Sequence, residues 1–319
     1  MREALFIKRN SDKWRDVEQN PTTTDGRPDP DELVTNFVEL TDDLSYARTF
    51  YPDSNVTRYL NGLTAQMHRG LMQNRHNDRG RFVTFWKYEL PLLFRQSHRL
   101  LAIAAGIFLA AAIIGWVSAA HDNTFVRLIL GDSYVNMTLE NIKKGDPLGV
   151  YNSSDQSTMF VQITLNNIYV AFRTFIFGLF ASFGTMAMLF YNGIMLGAFQ
   201  YFFHERGLLL DSILKIWVHG TLEISAIIIA GCAGLTVGNS LLFPGTYSRL
   251  ESFKRGIKQG LKIAIGLVPI FIMAGFLESF ITRLTLPSVV SGGIILSSAA
   301  FIIWYFILYP ISLNRNNQP

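Results

Sequence analysis

The sequence predicts an all-α fold: a polytopic membrane helix bundle of about six transmembrane helices, N-in and C-in, with an N-terminal cytoplasmic helical region. Three observations predict it. Leu100–Ala120 is a run of twenty-one residues without a charge, about 31 Å long as a helix and so as thick as a bilayer's hydrocarbon core. Further apolar runs follow at 168–190, 193–205, 219–243, 261–283 and 288–311, separated by charged or turn-forming stretches. Residues 1–99 hold fifteen of the twenty-eight Lys and Arg residues, which leaves the remainder mostly apolar.

The N-terminal region, residues 1–80, reads as a small helical bundle. The opening MREALFIKRNSDKW has neither the apolar core nor the cleavage site of a secretory signal, and a first helix is expected near 1–18. Over 31–50, Leu33, Phe37, Leu40, Leu44 and Ala47 repeat at three- and four-residue spacing and form one apolar stripe. Asp29-Pro30 starts that helix and Pro52 stops it. A third helix over 54–75 aligns Val56, Tyr59, Leu60, Leu63, Met67 and Leu71. A bundle of this size sits near the lower limit of independent stability, so it is expected to lean on a membrane or a partner.

Residues 81–99 mix Phe82, Phe85, Trp86, Leu90, Leu93 and Phe94 with Arg81, Lys87, Arg95 and Arg99. That pattern predicts an amphipathic interfacial helix turning into span one, not a nucleic-acid patch. The transmembrane domain then occupies 100–319, with a long outer loop at 121–165. Its orientation follows from the basic clusters before span one and at Arg249, Lys254, Arg255, Lys258 and Lys262, which belong inside. The 121–165 loop has three basic and five acidic residues and faces outward. It is a candidate contact surface or an amphipathic helix resting on the membrane, with Gly145-Asp146-Pro147-Leu148-Gly149 as a turn. The span at 193–205 is short and reads as half of a hairpin turning at Tyr191-Asn192-Gly193. Before span four, LLLDSILKIWVHG reads as a short helix on the outer surface.

An ionisable residue at a span centre costs about 2.5–3.5 kcal/mol on insertion scales, which singles out Arg173 in span two, Glu223 in span four and Glu278 in span five. Counted along their spans, all three fall in the outer third, with His219 one turn from Glu223 on the same face. An intramembrane polar cluster of Arg173, His219, Glu223 and Glu278 is therefore expected, with Arg173 pairing one or both carboxylates. Three roles remain open: an ion pair that locks helix packing, a substrate or ion site, and side chains that snorkel singly to the surface. Asn166 and Asn167 before span two, and Asn192 and Asn239 at inner span ends, read as helix caps or interhelical hydrogen bonds. Gly193 and Gly197, and Ala230, Gly234 and Gly238, supply small faces for packing within the chain or in a dimer. Pro269 is expected to kink span five by freeing the carbonyl of Ile265.

No catalytic constellation is found. HGTLE lacks the second histidine of the HExxH zinc arrangement, and neither GxSxG nor a Walker loop occurs. The single cysteine, Cys232, has no partner within the chain for a disulfide. The chain is thus expected to be no enzyme, with no cofactor and no bound metal.

Four segments carry a family resemblance: MREALFIKRNSDKW, LNNIYVAFRTFIFGLFASFGTMAMLFYNGIMLG over 165–197, HGTLEISAIIIAGCAGLTVG over 219–238, and AGFLESFITR over 274–283. On these the chain resembles the stage II sporulation protein M family of integral membrane proteins, in its non-sporulation branch. Asn166, Asn167, Asn192, Gly193, His219, Gly220, Glu223 and Glu278 match family positions. The resemblance implies a bacterial or archaeal cytoplasmic membrane. It also implies a membrane scaffold, since the family's namesake holds peptidoglycan-degrading enzymes during engulfment in spore-forming bacteria. The leading expectation is a non-enzymatic scaffold or assembly protein of the cell envelope, a homodimer with envelope or membrane protein partners and no nucleic acid. The alternative is a transporter or channel for an ion or small anion, working through the intramembrane cluster.

Overall fold

The computed structural model describes residues 2–19, 30–74, 81–122, 124–146, 149 and 156–316, and every regular element among them is helical. The chain divides into two compact units, residues 1–82 and 83–319.

The first unit holds α1 (Glu3–Gln19), α2 (Pro30–Phe50) and α3 (Asn55–Asn74). Leu40, Leu44 and Ala47 from the α2 stripe meet Val56, Leu60 and Leu63 of α3 and Phe6 and Trp14 of α1 in one buried core. Trp14 buries its ring and donates Nε1–H to Asp43 Oδ2 at 2.8 Å, while Lys13 pairs with the same carboxylate at 2.6 Å. That satisfies the one polar atom the indole brings inside. Asp29, expected to start α2, lies outside the described residues, as do Pro147 and Leu148 of the expected outer turn.

In the second unit, five helices are long and apolar enough to cross a membrane. They are α4 (Phe82–His121), α8 (Phe183–His204), α9 (Leu209–Leu242), α10 (Arg249–Ile281) and α11 (Ser288–Leu313). Between the first two lie α5 (Phe125–Leu130), α6 (Asp132–Lys143) and α7 (Gln156–Ile176).

Side-chain contacts fix their directions. A Cβ at Gly193 would strike the backbone of Phe108, and one at Gly197 that of Ala112 and Trp116, so α8 runs parallel to α4. Asn167 meets Glu223, and the Thr174 carbonyl abuts Gly234, so α7 runs parallel to α9. The pairs Gly260–Ala233 and Thr282–His219 make α10 antiparallel to α9. In α11, Ser291 lies beside Val218 and Phe306 beside His98. Among the described residues, six helical segments therefore run the length of the bundle. The sixth passage is α7, in which Asn166, Asn167, Gln162 and Arg173 hold hydropathy down.

This corrects the boundaries read from the sequence. The run 168–190 is not one span: it breaks in a turn at Phe177–Ser182, where Ala181 and Ser182 both have positive φ (49° and 72°). The turn is built from apolar residues, with Phe180 and Phe183 65% and 73% exposed, so hydropathy carries no trace of it. The stretch 193–205 is the second half of α8, and Tyr191-Asn192-Gly193 lies inside that helix and not at a hairpin. Much of the expected outer loop 121–165 is helical. The α5–α6 pair packs Val126 and Val135 against Ala198, Phe202 and Phe203 at the end of α8. LLLDSILKIWVHG opens α9 without a break. Residues 81–99 run on into α4 through a π-helical turn at Phe85–Glu89, with Leu90 and Phe94 fully buried where an interfacial helix would face headgroups. Tyr305 and Tyr309 donate their hydroxyls to the carbonyls of Trp86 and Lys87, and Lys262 pairs with Glu89 at 2.6 Å.

Close approach by small residues holds the middle of the bundle together. Gly197 lets α8 lie backbone to backbone on α4, and Gly234 does the same for α9 against Thr185 and the Thr174 carbonyl. Both small-residue faces are thus used within the chain. Pro269 coincides with a break at Leu267, where α10 resumes as Val268–Phe276 and then widens into a π turn, Leu277–Ile281.

Candidate functional site

The polar residues of α9 lie on one face because i and i+4 are stacked one turn apart on a helix. His219 and Glu223 occupy such a pair, and the π turn of α10 carries Glu278 to the same face. π turns inside helices commonly occur at functional sites, because the extra residue rotates a side chain out of the regular register. One ligand atom from each of His219, Glu223 and Glu278 lies within 4.8 Å of the others. His219 Nε2 is 3.9 Å from Glu278 Oε1, with side chains 4% and 14% exposed. An oxygen of each carboxyl group lies within 4.8 Å of the other, and Asn167 of α7 donates its amide to Glu223 Oε1.

Thr282 settles the orientation of the imidazole. His219 Nδ1 lies 3.0 Å from the threonine hydroxyl oxygen, and when that hydroxyl gives its proton to the Leu277 carbonyl 3.1 Å away, the oxygen accepts from Nδ1. The proton of a neutral imidazole is then on Nδ1, and the Nε2 lone pair points toward the carboxyls.

A vestibule of about 380 Å³ opens beside the cluster at the end of the bundle away from the basic cluster of Arg249, Lys254, Arg255, Lys258 and Lys262. Asp146, Asp211, Lys215, Ser288 and Ser291 line it together with Thr282, the residue bonded to His219. In the opposite direction the path is filled by the tight helix contacts around Gly234 and Gly260. The arrangement offers two acids and an imidazole nitrogen, all acceptors for a proton or a cation.

Arg173 is not a member of this cluster, contrary to the sequence reading. It lies six residues past Asn167 on α7, about 9 Å further along the helix, and its exposed guanidinium sits over the Phe177 ring at 5.5 Å. The error follows from the misplaced start of the second passage, since α7 begins at Gln156 and Arg173 therefore falls near its far end. Asn166 and Asn167 lie within α7 instead of capping it, with Asn166 exposed. Asn192 is buried in mid-α8 and donates to the Met188 carbonyl at 2.7 Å, and Gly193 beside it packs against α4, so neither ends a span. Asn239 is exposed in the last turn of α9, where its carbonyl accepts from the Phe243 amide. Two members were not foreseen in their roles: Asn167 as a partner of Glu223, and Thr282. Thr282 lies one turn beyond Glu278 in ESFITR, a spacing that was legible once Glu278 was suspected.

Comparison with known proteins adds two matches. Residues 4–73 match a domain of unknown function, DUF8413, and residues 104–283 match the family described as Stage II sporulation protein M. No curated protein and no solved structure matches the chain. The second match spans more than half of the chain, from within α4 through α10, and contains Asn167, His219, Glu223, Glu278 and Thr282, so this chain belongs to the stage II sporulation protein M family.

Proposed function

We propose that the chain is a carrier for a small cation, protons included, which enters from the outer face of a bacterial or archaeal cytoplasmic membrane. The observation that carries this reading is the buried His219–Glu223–Glu278 cluster beside a polar vestibule. Charged groups are costly in a bilayer, and those that remain commonly mark an ion path or a proton relay. The positive-inside rule assigns the basic end of the bundle to the cytoplasm, which turns the vestibule outward. The close packing behind the cluster favours an occluding carrier over an open channel, and the break at Leu267 with the adjoining π turn gives α10 a place to bend. No covalent chemistry is assigned to the chain.

The test is cation uptake by proteoliposomes holding the full chain, with Glu223→Gln and Glu278→Gln for comparison. Uptake above empty liposomes that both variants lose is the expected result. Uptake equal to that of empty liposomes ends the reading.

A scaffold role is the second reading, and one observation favours it. The first unit has a core of its own and a separate family match, as suits a module that holds partner proteins at the membrane. The exposed apolar face of α11, with Val289 86% and Leu296 71% exposed, suits lipid or a second copy of the chain. Co-purification of envelope proteins or a stable homodimer from native membranes supports this role. Repeated isolation of a partner-free monomer counts against it.

A further inference from the structure

Resting on the cation reading above, we propose that the cluster binds one divalent transition-metal ion of the zinc, manganese or cobalt kind, ligated by His219 Nε2 and one oxygen each of Glu223 and Glu278. The donors come from two helices, and one ligand atom of each lies within 4.8 Å of the others. In a tetrahedral site with bonds of about 2.0–2.2 Å, neighbouring ligand atoms are about 3.4 Å apart. The observed 3.9 Å between His219 Nε2 and Glu278 Oε1 is therefore about half an ångström from contact geometry, a gap that a small rotation of the Glu278 side chain closes.

The surrounding hydrogen bonds are those a metal site needs. Metal-bound imidazoles donate their other N–H to a fixed acceptor, which sets the tautomer and aims the ligating nitrogen. Thr282 is such an acceptor, itself oriented by its bond to the Leu277 carbonyl. Asn167 plays the matching part for Glu223 by donating to one carboxylate oxygen.

Charge and ligand type narrow the ion. With both carboxyls deprotonated as ligands and the imidazole neutral, the donor set has a formal charge of −2, which a divalent cation cancels and a monovalent one does not. One nitrogen and two oxygens suit zinc, manganese or cobalt. Calcium takes six to eight oxygens and magnesium keeps several waters, so three protein ligands, one of them nitrogen, suit neither. Among the described residues no thiol reaches the cluster to select a softer ion: Cys232 lies nine residues beyond Glu223 on α9 and is directed at the Ser97 carbonyl. The vestibule gives the ion an entry, with Asp146 and Asp211 at its mouth and Lys215 as the opposing charge.

The experiment loads the full chain, reconstituted in nanodiscs, with Zn²⁺, Mn²⁺ or Co²⁺ singly, with Mg²⁺ and Ca²⁺ for comparison. Bound metal is counted by mass spectrometry and affinity is read by titration calorimetry. We expect one transition-metal ion per chain and a loss of affinity of roughly ten- to a hundred-fold or more in His219→Ala, Glu223→Gln and Glu278→Gln. Thr282→Val leaves all three ligands in place and is expected to weaken binding by roughly ten-fold and to shift the Co²⁺ absorption spectrum. Wild-type chain that elutes as a single species and retains none of the three transition metals overturns the proposal, as does binding that all three ligand variants leave unchanged. Cation uptake without metal binding would sink this assignment and leave the carrier reading intact. Metal binding without uptake would do the reverse.

Discussion

Asn167 on α7 and Glu223 on α9 meet amide to carboxylate inside the bundle, and the bond ties the least apolar of the six passages to the most buried one. It seats one face of a helix too polar to be recognised as a span against α9. Of the polar residues that lower the hydropathy of α7, Asn167 turns its amide inward to Glu223, while Gln162, Asn166 and Arg173 are exposed. The same bond holds one oxygen of Glu223 while the other side of the carboxyl faces Glu278 and His219.

Asn167→Leu removes the amide and leaves a half-buried carboxyl short of a partner. A loss of about 1–3 kcal/mol is expected, read as a lower melting temperature of the purified protein in detergent. An unchanged melting temperature would show that the amide is dispensable.

Gly197→Val should force α8 off α4, because a Cβ there would collide with backbone atoms of Ala112 and Trp116. Overpacking of this kind costs about 1–3 kcal/mol or more. Gly106→Ala is the control: its Cβ meets nothing within 4 Å, so stability should hold or rise by up to about 1 kcal/mol from helix propensity. Equal melting temperatures for both variants would contradict the packing described.

Lys262 and Glu89 form a half-buried ion pair between α10 and the start of α4. A double-mutant cycle with Lys262→Ala and Glu89→Ala should give a coupling of about 0.2–1 kcal/mol, since roughly a third of each side chain remains in contact with solvent or headgroups. A coupling of zero would place the pair among surface contacts without energetic consequence.

The six-pass topology predicts which positions share a side of the membrane. In a Cys232→Ser background, a membrane-impermeant maleimide should reach Phe180→Cys, in the turn after α7, from the same side as Lys254→Cys. Asp211→Cys should be labelled from the other side. Labelling of Phe180→Cys together with Asp211→Cys would mean that α7 does not cross.

The sequence made the class of fold plain and its internal boundaries obscure, for one physical reason. Hydropathy and charge report what a segment touches, and Leu100–Ala120 touches mostly lipid, with only 22% of its most apolar stretch buried. Amphipathic stripes likewise showed α2 and α3, because each has one wet face. The turn at Phe177–Ser182 is apolar on both sides of the bend, and Gln162, Asn166, Asn167 and Arg173 hold down the hydropathy of α7, so neither announces itself. His219 and Glu223 were legible as a pair because one helix sets their spacing. The neighbourhood of Glu278 depended on knowing the depth of each span, which is where Arg173 was misplaced.

The account stands on a cation entering the buried cluster through the vestibule. The most direct measurement is cation uptake by right-side-out vesicles carrying Ser288→Cys in a Cys232→Ser background. A small impermeant thiosulfonate is added on one side at a time. Ser288 is exposed in the vestibule wall, so reagent outside should reduce uptake to that of empty vesicles and reagent confined inside should leave it unchanged. Uptake indifferent to the reagent on both sides, blocked only from within, or absent before any reagent is added would contradict it.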